Sequence, residues 1–238
     1  MYKTIGIIGG MGALATVDMF NKIVTYTEAK NDQEHIPVLI DNNTQIPDRT
    51  SFLLGYEGDD PAKHLIRSAH KLKNSGADFI LIACNTAHYF IPKIVEAVDI
   101  EIINGIKETA NEVAALNYNA VAVLGTEGFV KHVNYKLYYD EVGVDTIKLT
   151  KSEQDSVSSL IYDGIKANND IDISHFLLTL EQLFSRGAEA FILSCTELPV
   201  AFEKYSIRDY NIVDPSLIFA KRAIIKAGAQ LKCPDCII

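Results

Sequence analysis

The feature that most narrows the folds open to this chain is an internal repeat. Residues Gly76 to Thr86 read Gly-Ala-Asp-Phe-Ile-Leu-Ile-Ala-Cys-Asn-Thr, and Gly187 to Glu197 read Gly-Ala-Glu-Ala-Phe-Ile-Leu-Ser-Cys-Thr-Glu. Both begin with Gly-Ala and an acid, run through an apolar stretch and reach a cysteine. A second echo pairs Ile7-Ile8-Gly9-Gly10-Met11-Gly12 with Val123-Leu124-Gly125-Thr126-Glu127-Gly128. The cysteines, Cys84 and Cys195, lie 111 positions apart, and the glycine turns, Gly9 and Gly125, lie 116 apart. The two spacings nearly agree, so the chain reads as one pattern built twice.

Each half alternates strand and helix. Thr4 to Gly9 is a short apolar run closed by glycines, as a buried strand should be. A helical pattern follows from Leu14 to Ala29, then a strand from Pro37 to Asp41 and a polar loop from Asn42 to Thr50. Asp60 and Pro61 form an N-cap and first helical position, and Gly76 ends that helix. Strands are expected at 78–83 and 101–103. In the second half, strands are expected at 120–124, 145–149, 190–194 and 211–213, and helices at 135–141, 153–166, 173–186 and 215–230. Alternation of this kind predicts an α/β fold: two pseudo-symmetric lobes, each a mainly parallel sheet flanked by helices. The expected division is residues 1–104 with 213–238 as the first lobe, closed by the C-terminal helix, and 105–212 as the second.

Ligands of open parallel sheets bind outside the carboxyl ends of the strands. Each half has its glycine turn after its first strand and its cysteine after its third. Two such lobes facing each other predict Cys84 and Cys195 on opposite walls of one cleft. That arrangement suits a reaction needing a base on one face of a carbon and an acid on the other. A helix N-terminus favours a thiolate, so one cysteine is expected as thiolate and the other as thiol, titrating as a coupled pair. The glycine turns supply backbone amides for a substrate carboxylate.

Composition excludes other classes. In 238 residues, 48% are hydrophobic and 22% charged, ordinary values for a soluble globular protein. A net charge of −9 with no basic run argues against nucleic acid as the main partner, because phosphate neutralisation needs clustered Lys and Arg. No apolar run reaches membrane-span length. The opening Met1-Tyr2-Lys3-Thr4 enters a strand directly, without a signal-peptide layout, so a cytoplasmic protein with free thiols is expected.

Four segments carry a resemblance: Ile5-Gly6-Ile7-Ile8-Gly9-Gly10-Met11-Gly12, Asn42-Asn43-Thr44-Gln45-Ile46-Pro47-Asp48-Arg49-Thr50, Ala83-Cys84-Asn85-Thr86-Ala87-His88 and Ser194-Cys195-Thr196-Glu197-Leu198. With these, in this order across essentially the whole chain, the sequence resembles the aspartate/glutamate racemase superfamily and most of all its aspartate racemase branch. The resemblance implies racemisation by two cysteines, independent of pyridoxal phosphate and of metal, with no cofactor, in a two-lobed homodimer. It also implies that Met11, Asn85, Thr86, Thr126 and Thr196 line the carboxylate and amino sites, and that Arg49 and Lys166 hold a side-chain carboxylate. The glutamate branch fits less well. It carries an acid in the first glycine turn and a histidine after the second cysteine, where this chain has Gly10-Met11 and Thr196-Glu197.

Read as residues alone, several of these have ordinary alternatives. Arg49, after Pro47-Asp48, is a solvated loop charge or a fork for a dicarboxylic substrate. Lys166 is a surface lysine at a helix C-terminus. Asn85 and Thr86 are N-caps of the next helix. Glu197 is a first-turn helix acid, or a site residue that orients or repels the substrate ammonium. His88, four residues after Cys84, shares a helix face with it, where an imidazolium would favour the thiolate. The glycines at 6–12 lack the Gly-x-Gly-x-x-Gly spacing of a dinucleotide site. Cys233-Pro234-Asp235-Cys236 is a lone C-x-x-C without further metal ligands.

The function expected is an aspartate racemase. The alternatives are glutamate or hydantoin racemisation or malonate-type decarboxylation on the same fold, and a non-catalytic dicarboxylate-binding protein. A decarboxylase needs one proton donor, which two cysteines exceed.

Overall fold

The computed structural model describes residues 2–56 and 58–232; the Cys233/Cys236 pair lies outside them. The chain divides into two compact units, one running to Glu108 and resuming at Ser216, the other Thr109–Pro215.

The first unit contains β1 (Ile5–Gly9), α1 (Ala13–Tyr26), β2 (Val38–Asn42), α2 (Arg49–Leu53), α3 (Pro61–Asn74), β3 (Phe79–Ile82), α4 (Ile91–Ala97) and β4 (Glu101–Ile102). The chain leaves it through α5 (Gly105–Ala115). The second unit holds β5 (Ala120–Leu124), α6 (Glu127–His132), α7 (Tyr135–Glu141), β6 (Asp145–Ile147), α8 (Lys151–Ser159), α9 (Ser174–Ser185), β7 (Ala190–Leu193), α10 (Glu197–Lys204) and β8 (Ile212–Val213). α11 (Pro215–Ala227) returns to the first unit.

Both units carry a four-stranded sheet whose pairings are all parallel, in the orders β2-β1-β3-β4 and β6-β5-β7-β8. The expected α/β fold with two repeated lobes is what the chain forms. β1 and β3 are buried along their whole length, which is why they read as unbroken apolar runs rather than alternating ones. Alternation nevertheless sorts their side chains. Phe79, Leu81 and Ala83 pack with Ile5 and Ile7 against α11, while Ile80, Ile82 and Cys84 join Leu65, Ala69 and Leu72 of α3. Each such branched side chain contributes roughly 1.5–3 kcal/mol by leaving water.

The repeat has a physical basis residue by residue. Gly76 and Gly187 both sit at φ +97°. Gly76 N–H donates to Lys73 O and Ala77 N–H to Leu72 O; Gly187 N–H donates to Phe184 O and Ala188 N–H to Leu183 O. These paired bonds close α3 and α9 in the same left-handed cap. The acid that follows is also used twice: Asp78 accepts from Thr4 N–H at 2.7 Å and Glu189 from Asn119 N–H at 2.6 Å. Each ties the start of the cysteine strand to the start of its neighbour.

Several boundaries differ from the sequence reading. The loop expected over 42–50 stops at Asp48, whose carboxylate caps Ser51 N–H at 2.7 Å and starts α2 at Arg49. The helix expected over 153–166 changes winding: α8 ends at Ser159 and a π-helical stretch, Leu160–Lys166, continues it. Thr150 and Glu153 form a reciprocal capping box that starts α8 at Lys151, ahead of the expected Glu153. α5 and α6 are further additions to the sequence reading; Asn104 and Thr126 start them, accepting from Lys107 N–H and Phe129 N–H, each at 3.2 Å.

Candidate active site

In each unit the strand order reverses direction between the first and third strands, the place where parallel sheets bind ligands. In the first unit the turn after β1 and the cysteine after β3 meet there. Ala83 N–H donates to Ile8 O at 3.0 Å, carrying the ladder one step past β3 to the residue before Cys84. The second unit repeats the bond: Ser194 N–H donates to Leu124 O at 2.7 Å, one residue before Cys195. Both cysteines are free and buried.

The first turn is built around absent side chains. Gly10 has φ +88°, and a Cβ there would fall 2.3 Å from the Asn43 carbonyl carbon. A Cβ on Gly9 would strike Thr16 at 2.3 Å. Thr16 uses that closeness: its hydroxyl accepts from Gly10 N–H at 2.9 Å and donates to Gly12 O at 3.0 Å. Gly12 is the N-cap of α1 and offers no side-chain cap to its amides. Thr16 was not foreseen, because a threonine inside a helix reads as a routine core-facing residue.

Arg49 is buried, not a solvated loop charge. One guanidinium nitrogen donates to Met11 O at 3.0 Å and the other to Pro47 O at 3.1 Å. The side chain therefore pins the 46–49 segment onto the glycine turn. Met11 itself is buried in the same cluster as Ile46 and Cys84. Met11, Arg49, Cys84, Asn85 and Thr86 are thus gathered at one end of the first sheet.

Asn85 stands at the N-cap of a short 3-10 turn, Thr86–Phe90, yet its amide makes no capping bond. The capping role expected of it is corrected by the backbone: Asn85 is already helical, at φ −62° and ψ −42°, whereas a capping side chain needs extended geometry. His88 is corrected as well. Its Nε2 accepts from Gly105 N–H at 3.2 Å, and its Nδ1–H donates to Cys84 O at 2.9 Å. An amide can only donate, so the ring is neutral. Burial pushes its pKa down to about 4, outweighing the backbone contributions of Cys84 and Asn85 that raise it. His88 holds the Cys84 main chain and supplies no imidazolium.

In the second unit Thr126 caps α6, its hydroxyl accepting from Phe129 N–H at 3.2 Å. Gln154 of α8 donates to Gly125 O at 2.9 Å and to Ser158 Oγ at 3.2 Å, and its Oε1 is buried without a partner. Gln154 supports the second glycine turn, and nothing in its spacing announced that.

Cys195 is the more elaborate of the two thiols. Its Sγ–H donates to Glu197 Oε2 at 3.0 Å, the Thr196 hydroxyl donates to the same oxygen at 3.1 Å, and Lys166 Nζ lies 2.6 Å from Glu197 Oε1. Lys166 is therefore an ion-paired residue, and Glu197 directs both oxygens at neighbouring side chains. Burial pushes the Glu197 carboxyl up, but Lys166 and the hydrogen bonds outweigh it and hold the group below the ordinary carboxylate range. Burial first, and then the Glu197 charge, push the Cys195 thiol well above its ordinary value, more than Lys166 pulls it down. At Cys195 these surroundings favour the thiol over the thiolate.

No helix among the described residues is long and apolar enough to cross a membrane. Among those residues no group of three or more His, Cys, Asp or Glu could hold a metal ion.

Known proteins carry the same architecture. The structure superposes on the aspartate racemase of Picrophilus torridus with a TM-score of 0.80 and 29% identity, covering 97% of this chain and 96% of that one. The broad-specificity amino-acid racemase RacX of Bacillus subtilis is 29% identical over 225 residues, 92% of this chain and 96% of its own. A glutamate racemase of Staphylococcus carnosus is 29% identical over 188 residues, 70% of this chain and 65% of its own. The family profile described as Asp/Glu/Hydantoin racemase matches residues 8–223. The two-unit parallel-sheet architecture is thus shared with known racemases, and this chain belongs to the Asp/Glu/Hydantoin racemase family.

Proposed function

We propose that the protein is an amino-acid racemase acting on aspartate, with Cys84 and Cys195 as opposed bases and no cofactor. The observation that carries this reading is the duplicated placement of a cysteine two residues past the central strand of each sheet, beside a glycine turn.

In this reaction one sulfur, as thiolate, takes the α-proton: the Cα–H bond breaks and an S–H bond forms. The other sulfur, as thiol, delivers its proton to the opposite face of the same carbon. The two cysteines exchange protonation states with each turnover. Removing an α-proton builds charge on the carboxylate, so fixed amide donors beside the carbon supply the stabilisation. The uncapped start of α1 and the Asn85 amide support a carboxylate site beside Cys84, with Thr86 and Met11 completing its wall. Thr126 and Thr196 are the corresponding residues of the second unit.

An acidic substrate is favoured by Arg49, whose planar fork matches a carboxylate and whose position is already set by carbonyl contacts. Lys166 is the second cation in this reading. The relatives include racemases described as aspartate, glutamate and broad-specificity enzymes, and glutamate is therefore the rival substrate. A homodimer is part of the same proposal. Leu14, Val17, Phe20 and Val24 form an exposed apolar stripe on α1, opposite the buried Thr16, Met19 and Ile23.

The test is incubation with L-aspartate in heavy water, followed by proton NMR and chiral analysis. Loss of the α-proton signal with appearance of D-aspartate supports the reading. Cys84→Ser and Cys195→Ser should each abolish racemisation, and full activity in either would refute the two-base scheme. Exchange with glutamate alone moves the substrate assignment, and binding without exchange makes the protein a dicarboxylate-binding one.

A further inference from the structure

A buried glutamine at the second glycine turn is only half satisfied. Gln154 is 9% exposed. A side-chain amide carries two N–H donors and an oxygen with two lone pairs. Both donors are used: Nε2 donates to Gly125 O at 2.9 Å and to Ser158 Oγ at 3.2 Å. A main-chain carbonyl can only accept, so the amide nitrogen must be the atom on Gly125, and the oxygen faces elsewhere. That oxygen, Oε1, is buried without a hydrogen-bond partner. An unmade bond at a buried acceptor costs stability, and folded proteins rarely keep one without a use.

Gln154 stands at the ligand end of its sheet. The chain leaves β6 at the carboxyl end of the strands and α8 starts at Lys151, so the beginning of α8 lies at that end. Further along, Val157, Leu160 and Ile161 share a cluster with Cys195 and Leu198, which puts the helix on the Cys195 face. Its first turn is held firmly. Thr150 N–H donates to Glu153 Oε2 at 2.7 Å and Glu153 N–H to Thr150 Oγ1 at 3.3 Å. Arg186 grips both oxygens of Glu153, at 2.7 and 2.6 Å. Gly125 is constrained as well, since a Cβ there would meet the Phe129 ring at 2.9 Å. Oε1 is thus carried on a fixed frame and cannot swing to find a partner.

We propose that Gln154 is a substrate-binding residue, whose Oε1 accepts a hydrogen bond from the α-ammonium of an amino acid held beside Gly125 and Cys195. This inference rests on the amino-acid racemase reading. An acidic amino acid offers two carboxylates and one ammonium. Carboxylates only accept, so the ammonium, with three N–H groups, is the one group that can satisfy Oε1. The other oxygens described near Cys195 already have donors: Thr126 Oγ1 takes Phe129 N–H, and Glu197 takes Cys195, Thr196 and Lys166. A neutral acceptor suits the place. It orients the ammonium without taking its proton, so the charge that acidifies the α-carbon stays on the substrate. It also adds no second negative charge near a thiol that Glu197 already opposes ionising. The consequence is selection for α-amino acids over the same dicarboxylates lacking nitrogen, because a ligand without the donor leaves Oε1 buried and unmet.

The experiment measures ligand preference by titration calorimetry on the full-length chain. DL-aspartate is already at racemic equilibrium, so no net reaction accompanies its binding, and succinate is the same dicarboxylate without the ammonium. For the rival substrate the pair is DL-glutamate and glutarate. Wild type is expected to prefer the amino acid. Gln154→Met, which fills a similar volume without an amide, should reduce that preference about tenfold or more, the size of one buried hydrogen bond to a charged group. Gln154→Glu also loses the donor to Gly125 O but keeps an acceptor oxygen, so its preference should equal or exceed that of wild type. A residue that only supported the turn would weaken both ligands alike in both variants. Circular dichroism checks folding, and Gln154→Glu, nearest in shape to wild type, serves as the test where methionine does not fold. An unmoved preference in Gln154→Met, or a fall in Gln154→Glu, overturns the proposal. So does a wild type that binds amino acid and dicarboxylate equally, or binds none of the four ligands.

Binding and α-proton exchange fail separately. If D-aspartate forms from L-aspartate and the preference does not move in Gln154→Met, Gln154 serves the turn alone and the racemase reading stands. If the preference moves as stated and no amino acid loses its α-proton, the ammonium site stands and the racemase reading falls.

Discussion

Acidification should remove stability from the first unit through one ring. His88 is neutral and buried, bonded on one nitrogen to Cys84 O and on the other to Gly105 N–H. In the unfolded chain its pKa is the ordinary 6.5; in the folded protein burial pushes it down to about 4. Between these values the unfolded state binds a proton that the folded state refuses, so stability rises with pH across this window. The contribution is fully present above the unfolded value and is lost as pH falls toward the folded one. At about 1.4 kcal/mol per pH unit, the displacement is worth about 3 kcal/mol in total, with about 2 kcal/mol gone by pH 5. Carboxylates lose stability in acid too, so the measurement is a difference. Urea unfolding of wild type and His88→Gln, followed by circular dichroism at neutral pH and at about pH 5, should show wild type losing about 2 kcal/mol more than the variant over that step. Gln has no titrating ring but keeps an amide that can donate or accept. The His88 ring signals in NMR should stay unprotonated through the ordinary histidine range. A His88 titration near 6.5, or parallel loss in both proteins, would refute the reasoning and return His88 to the role of a solvated helix residue.

Other outcomes follow from single contacts. Gly10→Ala, with φ +88° and a Cβ 2.3 Å from the Asn43 backbone, should cost more than about 2 kcal/mol, while Gly76→Ala, with φ +97° and open space around it, should cost only about 1 kcal/mol; equal costs in chemical denaturation would contradict the close approach. Arg49→Lys keeps the charge but loses the fork that reaches Met11 O and Pro47 O, so kcat/KM for aspartate should drop about tenfold or more; unchanged kinetics would remove Arg49 from the site. Leu14→Glu with Val17→Glu, at side chains 85% and 63% exposed, should convert the proposed dimer to monomer in sedimentation without loss of helix content; an unaltered sedimentation coefficient would exclude α1 from the interface.

The internal repeat was legible because its residues act over short distances. A left-handed glycine cap, an acid that ties two strand starts, an apolar strand and a cysteine at its end all follow one another along the chain, so the doubled α/β plan and both cysteines could be read from order and spacing. Asp60 and Pro61 likewise announced α3, and Asp60 does cap Ala62 N–H at 2.9 Å. What stayed hidden was settled by groups distant in sequence and adjacent in space. Arg49 reaches Met11 across 38 positions and Gly105 reaches His88 across 17; no periodicity encodes such pairs. The same cause explains the errors of charge. The sequence by itself determined where the two thiols stand, at matching ends of two sheets. Only the tertiary structure decided their neighbours: a neutral His88 behind Cys84, and a Glu197 carboxylate paired to Lys166 beside Cys195. Protonation depends on burial and on the nearest charge, and both are properties of packing rather than of chain order.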